Sequence, residues 1–105
     1  MGTPDFAVPS LRVLMQAADI QVKGVITQPD RPAGRGREIL ASPIKLVAQE
    51  KSIPILQPNS LWNNTEALEW LTALQPDLAV VVAFGQLLPA GIFDLPSHGT
   101  LNVHP

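Results

Sequence analysis

The order of patterns along the chain predicts an α/β fold, a Rossmann-like parallel sheet with helices on both faces. Three observations carry that expectation. Stretches with apolar residues at helical spacing alternate with short extended stretches from one end to the other. The run Leu78 to Phe84 is continuously apolar, as in a strand covered on both faces. No internal repeat or low-complexity tract interrupts the alternation, so right-handed crossovers can link successive strands.

Each element has a local reason. Thr3, Pro4 and Asp5 read as a helix start, since Thr caps, Pro suits the first helical position and Asp favours the positive end. Pro9 disfavours a helix interior, so the regular helix is expected from about Pro9 to Ala18, with Leu11, Leu14, Met15 and Ala18 on one face. Ile20 to Thr27 reads as a strand. Gln28 to Ala41, with two prolines and two glycines, reads as a loop. Ser42 and Pro43 repeat the cap-plus-proline start, for a helix to about Lys51. Ile53 to Leu56 is a short strand, and Pro54 suggests an edge position. Asn64 and Thr65 offer a cap before a helix through Leu74, with Leu68, Leu71 and Leu74 as its buried stripe. Pro89 to Leu95 has room for one short helical turn, and Thr100 to His104 is a final strand.

Composition narrows the function. The 105 residues suit one small domain, and 46% hydrophobic content supports a packed core. A net charge of -2 argues against a general nucleic-acid coat, so any RNA contact must be local. The absence of cysteine excludes disulfides and thiolate metal sites. The histidines have no neighbouring carboxylate partners in sequence, so no metal site is expected. No apolar run approaches the roughly 18 residues of a membrane span, and the first residues lack the pattern of a signal peptide. The expectation is a cytoplasmic protein.

In an open parallel sheet, ligands bind beyond the carboxyl ends of the strands. Three segments leave such ends: Gln28 onward, Gly85 to Leu88, and Asn102 to His104. Asn102 and His104 lie two residues apart on a strand, so their side chains share a face, roughly 6–7 Å apart. An amide donor beside an imidazole suits acyl-type transfer, the one for a developing oxyanion and the other for a proton. On spacing alone, the two could equally end a strand and bond the next loop. Arg31, Arg35 and Arg37 place three of the chain's seven cations within seven residues. Guanidinium forks of this kind grip phosphates, although composition alone would also fit a solvated surface loop. Gly34 and Gly36 do not make a dinucleotide fingerprint, because no G-x-G-x-x-G follows a strand, which argues against a nicotinamide oxidoreductase. His98, Trp62 and Trp70 are most simply surface or packing residues.

Four blocks together resemble the methionyl-tRNA formyltransferase family: Met1-Gly-Thr-Pro-Asp-Phe6, Thr27-Gln-Pro-Asp-Arg-Pro-Ala-Gly-Arg-Gly36, Val80-Val-Val-Ala-Phe-Gly-Gln-Leu-Leu-Pro89 and Leu101-Asn-Val-His104. Asn-x-His after a strand is shared by folate-dependent formyltransferases in general, whereas Pro29 to Gly36 points to the tRNA-directed branch. The resemblance implies 10-formyltetrahydrofolate as donor, with no metal, and the amino group of initiator methionyl-tRNA as acceptor. It implies that Asn102 and His104 are catalytic, and that Phe84, Gly85, Gln86, Leu87, Leu88 and Asn102 hold the folate. It also implies that Arg31, Arg35 and Arg37 meet the tRNA. An intact enzyme of this kind is expected to be a monomer in the bacterial cytoplasm or an organellar matrix.

The same resemblance implies what residues 1–105 lack. Family members have a strand before the Gly2 position, a Ser-Leu-Leu-Pro segment after Asn-x-His, a catalytic aspartate further on and a C-terminal tRNA-binding domain. The chain is therefore expected to be a partial N-terminal domain with an incomplete sheet, inactive alone and at best marginally stable. Two other readings fit less of the sequence. A sister formyltransferase acting on a purine precursor or a nucleotide sugar would keep Asn102 and His104 but would not need the arginine-bearing segment. A non-catalytic remnant would need neither.

Overall fold

The computed structural model describes residues 7–33, 38–40, 42–82, 84 and 88–103. In chain order the elements are α1 (Ala7–Gln16), β1 (Val25–Ile26), β2 (Arg31–Ala33), β3 (Glu38–Leu40) and α2 (Pro43–Glu50). They continue with β4 (Ile55–Leu56), α3 (Thr65–Leu74), β5 (Ala79–Val82), α4 (Ala90–Phe93) and β6 (Thr100–Val103). β1 pairs with β4 and β5 with β6, both parallel, while β2 and β3 form an antiparallel ribbon. The α/β class expected from the sequence is the class observed.

Two apolar clusters show how the layers form. Side chains alternate faces along a strand, so adjacent residues serve opposite layers. Val25 and Val82 pack with Ala7 and Leu11 of α1 and with Ile44, Val47 and Ala48 of α2. Their chain neighbours Ile26 and Val81 pack instead with Ala67 and Leu71 of α3, Ile92 of α4, Leu61 and Phe84. Helices α1 and α2 therefore cover one face, and α3 and α4 the other. Between β1 and β5 no backbone ladder forms among the described residues. A cavity of about 540 Å³ lies there, lined by residues of both strands and by Trp70, Leu71 and Leu74.

Local chemistry sets the element ends. Helix α1 includes Ala7 and Val8, ahead of the expected start at Pro9. The expected cap at Thr3 lies outside the described residues, and Ala18 is exposed beyond the helix end. Ser42 caps α2 by accepting from the Lys45 amide at 3.2 Å, and Pro43 opens the helix. Asn64 caps α3 by accepting from the Ala67 amide at 2.9 Å. Gln75 ends α3 in the left-handed conformation, φ 50°. Of the expected stripe of α3, Leu71 is buried and Leu74 half-buried, whereas Leu68 is exposed and Ala67 is buried in its stead.

The strands are shorter than their apolar patterns. Ile20 to Thr27 was the expected extent of the first strand, yet only Val25–Ile26 is laddered. Its partner explains the limit. The Ile53 amide is taken by the Ala48 carbonyl at the end of α2, and Pro54 has no N–H. Pairing can start only where the Val25 amide donates to the Pro54 carbonyl at 2.9 Å. The largest departure is the stretch expected as a loop. Arg31–Ala33 pairs with Glu38–Leu40 in the register Arg31↔Leu40, Pro32↔Ile39 and Ala33↔Glu38. Counting prolines and glycines concealed this ribbon. Ile39 and Leu40 favour extended backbone, and the glycine-bearing residues 34–37 join the two strands.

Gly24 marks the tightest approach between layers. A Cβ built there would lie 2.6 Å from Trp70 Cη2 and 2.7 Å from Leu74 Cδ1. The ring edge and the methyl can yield slightly to one carbon but not to a branched side chain. Gly24→Val is expected to destabilise the chain by about 1–3 kcal/mol, the usual range for overpacking. Urea unfolding would check this; an unchanged midpoint would mean that α3 is not seated on β1 as described.

Candidate functional site

The carboxyl ends of β1, β4 and β5 converge, and polar side chains gather at that edge. Thr27 and Gln28 follow β1 directly and are buried, at 0% and 8% exposure, where an apolar residue would be the default. Burial of such groups requires partners. Thr27 Oγ1 lies 2.9 Å from Ser42 Oγ. Gln28 Nε2 donates to the Phe84 carbonyl at 2.9 Å, tying the end of β1 to the chain just beyond β5.

Gln57 follows β4 and extends this network. Its Nε2 donates to the Gln28 carbonyl at 3.1 Å and to Asp30 Oδ1 at 2.8 Å. Asp30 Oδ2 in turn accepts from Lys45 Nζ at 2.8 Å, an ion pair whose side chains are 30% exposed for Asp30 and 18% for Lys45. Five side chains, from Lys45 through Asp30, Gln57 and Gln28, with Thr27 beside them, thus join α2, β1, β4 and Phe84, two residues beyond β5. No buried side-chain nitrogen or oxygen among the described residues lacks a partner.

Asp30 ionises below its ordinary value of 3.8 because Lys45 donates to its carboxylate; the bond from Gln57 lowers it further, and partial burial opposes both. The sign follows directly. A depressed pKa in the folded state favours folding above pH 3.8, and that contribution disappears as the pH falls through the lower folded value. The melting-temperature difference between the parent chain and Asp30→Asn is therefore expected to be constant from neutral pH down to about pH 5 and to vanish in stronger acid. A difference that grew on acidification would contradict the Lys45–Asp30 pairing.

The residues singled out from the sequence distribute as follows. Asn102 is exposed, one residue before the end of β6 and opposite Val81 of β5. His104 lies outside the described residues, as do Gly85, Gln86, Leu87, Arg35 and Arg37. Arg31 opens β2, directly after Asp30. Phe84 is 2% exposed, so its side chain belongs to the core, while its carbonyl is held by Gln28. Leu88 is half-buried and packs against the same cluster as Phe84. A second, polar cavity of about 500 Å³ opens past the end of β4, lined by Gln57, Asn59, Ser60, Trp62 and Asn64 among others. Trp62 is 64% exposed there, as expected of a surface residue. Trp70, by contrast, packs on Gly24.

Sequence reasoning missed Gln28, Asp30, Lys45 and Gln57 as a set. The available signal was positional. Thr27-Gln28 and Gln57 each follow an apolar strand immediately, where an open sheet turns toward its ligands. Among the described residues, no cluster of three or more His, Cys, Asp or Glu is placed to hold a metal ion. No helix among them is long and apolar enough to cross a membrane.

Comparison with known proteins adds to this geometry. The family model described as Formyl transferase matches residues 2–105. A methionyl-tRNA formyltransferase of Xylella fastidiosa (strain M23) is 56% identical over 103 residues, which are 98% of this chain and 33% of that protein. One of Clostridium perfringens (strain SM101 / Type A) is 51% identical over 104 residues, 99% of this chain and 33% of the relative. One of Geobacter sulfurreducens is 49% identical over 104 residues, 99% of this chain and 32% of the relative.

Proposed function

Because the chain belongs to the formyl transferase family, we propose that it forms part of the N-terminal domain of an enzyme that formylates initiator methionyl-tRNA, with 10-formyltetrahydrofolate as donor. The observation that carries this reading is the likeness to relatives named methionyl-tRNA formyltransferase over nearly the whole chain, 56% identity across 98% of it in one case. The chain spans only 33% of that relative's length, so the activity is assigned to the complete protein.

The chemistry is an acyl transfer. The methionine amine attacks the formyl carbon, a carbon–nitrogen bond forms, and the bond from that carbon to the folate nitrogen breaks. Asn102 donates its amide to the formyl oxygen while negative charge builds there. His104 stabilises the same oxygen and moves the proton that the amine loses towards the departing nitrogen. The residues described fit this use: Asn102 carries an exposed amide on β6, and Leu88 offers a half-buried apolar side chain beyond β5. Residues Gly85 to Leu88, with the backbone of Phe84, line the folate site. Arg31, which opens β2 beyond the carboxyl end of β1, contacts the acceptor end of the tRNA together with Arg35 and Arg37.

The test is a graft. Residues 2–105 replace the matching third of the Xylella fastidiosa relative, and the chimera is assayed with labelled formyl donor and methionyl-tRNA. Formylation that weakens as salt rises is expected, because arginine–phosphate contacts release counterions. A folded chimera that transfers formyl groups to a small amine-bearing nucleotide, but not to methionyl-tRNA, would overturn the assignment.

A further inference from the structure

The ribbon that carries the arginines is fastened at both roots. At its outgoing root, Asp30 directly precedes β2 and is held by two donors, Lys45 Nζ on α2 and Gln57 Nε2 after β4, each at 2.8 Å. At its returning root, Ser42 lies two residues beyond β3, caps α2 and meets Thr27 Oγ1 at 2.9 Å. Asp30 therefore links three separate elements at the single residue from which the ribbon departs. Its two oxygens have different partners, so the carboxylate plane is fixed as well as its charge. Gln57 also donates to the Gln28 carbonyl, and Gln28 to the Phe84 carbonyl. The root of the ribbon and the start of the segment that follows β5 thus share one hydrogen-bonded frame.

We propose that Asp30 is a positioning residue for the nucleic-acid substrate: clamped by Lys45 and Gln57, it sets the angle at which the arginine-bearing ribbon leaves the sheet. The inference rests on the tRNA reading above. Asp30 touches no reacting atom. Its effect passes through the ribbon, because a short two-stranded ribbon has little of its own to fix its direction. A change of direction at the root is carried along β2 and β3, whose residues pair from Arg31↔Leu40 to Ala33↔Glu38, to the arginine-bearing segment they flank.

The experiment uses the chimeric enzyme with Asp30→Asn, Gln57→Leu and the double variant, and varies each substrate separately. Both single changes are expected to raise KM for methionyl-tRNA about tenfold, in line with the loss of a hydrogen bond to a charged group. KM for the folate and kcat at saturating tRNA are expected to stay within about twofold, and Asp30→Glu to recover part of the loss. The double variant should be worse than either single one, because Asp30→Asn breaks the ion pair with Lys45 and Gln57→Leu removes the separate bond to the other oxygen. An unchanged KM for tRNA, or a fall in kcat with both KM values unmoved, would overturn the proposal. Should Asp30→Asn fail to fold, Lys45→Met tests the other half of the clamp by the same criteria. An unsubstituted chimera that never formylates tRNA would defeat the underlying function, whereas an active chimera indifferent to residue 30 would defeat this inference alone.

Discussion

Asn102→Ala in the chimeric enzyme is expected to lower the rate of formyl transfer by about 10²–10³-fold, equivalent to about 2.7–4 kcal/mol of barrier. The effect should fall on kcat, with KM for both substrates nearly unchanged, because the amide meets charge that exists only as the carbonyl becomes tetrahedral. Asn102 stands exposed on β6, so its loss removes a donor without opening a void in the core. Single-turnover rates at saturating folate and tRNA would measure the step directly. A drop of less than about fivefold would place the oxyanion donor elsewhere.

The second large effect concerns stability. Phe84→Ala should cost about 3–5 kcal/mol, the usual range for removing a buried aromatic side chain. Phe84 is 2% exposed and packs in one cluster with Ile26, Leu61, Ala67, Leu71, Val81 and Ile92, which come from β1, α3, β5, α4 and the connection before α3. Deleting its ring empties the point where these elements meet. Small domains have only about 5–15 kcal/mol of net stability, so the variant's melting temperature is expected to fall by about 10–40 °C. Phe84→Leu, which keeps most of the volume, should lose far less. Circular dichroism melting of the two variants would separate them, and equal melting temperatures would mean that the ring is not buried as described.

How much of this was legible beforehand depends on what kind of signal each residue carried. The caps at Ser42 and Asn64 were readable because a cap is a local bond between a side chain and an amide three residues on. The run Leu78 to Phe84, laddered at Ala79–Val82, was readable because burial on both faces leaves no room for polar residues. The ends of β1 were not, since they depend on the Ile53 amide being taken by Ala48, a contact that no periodicity reveals. The ribbon at Arg31 to Leu40 was hidden for a related reason: prolines and glycines mark turns, but they do not say whether the flanking residues pair. Asp30 carried no mark in the sequence beyond its place among the arginines. Its partners Lys45 and Gln57 are 15 and 27 residues away, so its structural role could appear only in three dimensions. The resemblance supplied Asn102 and the arginines as candidates, which spacing alone left open.

The interval between β1 and β5 bears on how the molecule yields under load. Within each parallel pair, stiffness comes from directional peptide bonds; across the interval, Val25 and Val82 on one side and Ile26 and Val81 on the other meet through apolar packing, and the bond from Gln28 Nε2 to the Phe84 carbonyl adds a directional tie at its carboxyl end. Such packing resists separation but has little preference for register. A pull on the ribbon rooted at Asp30 is therefore passed to the chain beyond β5 through the bonds that run from Asp30 to Gln57, from Gln57 to Gln28 and from Gln28 to Phe84.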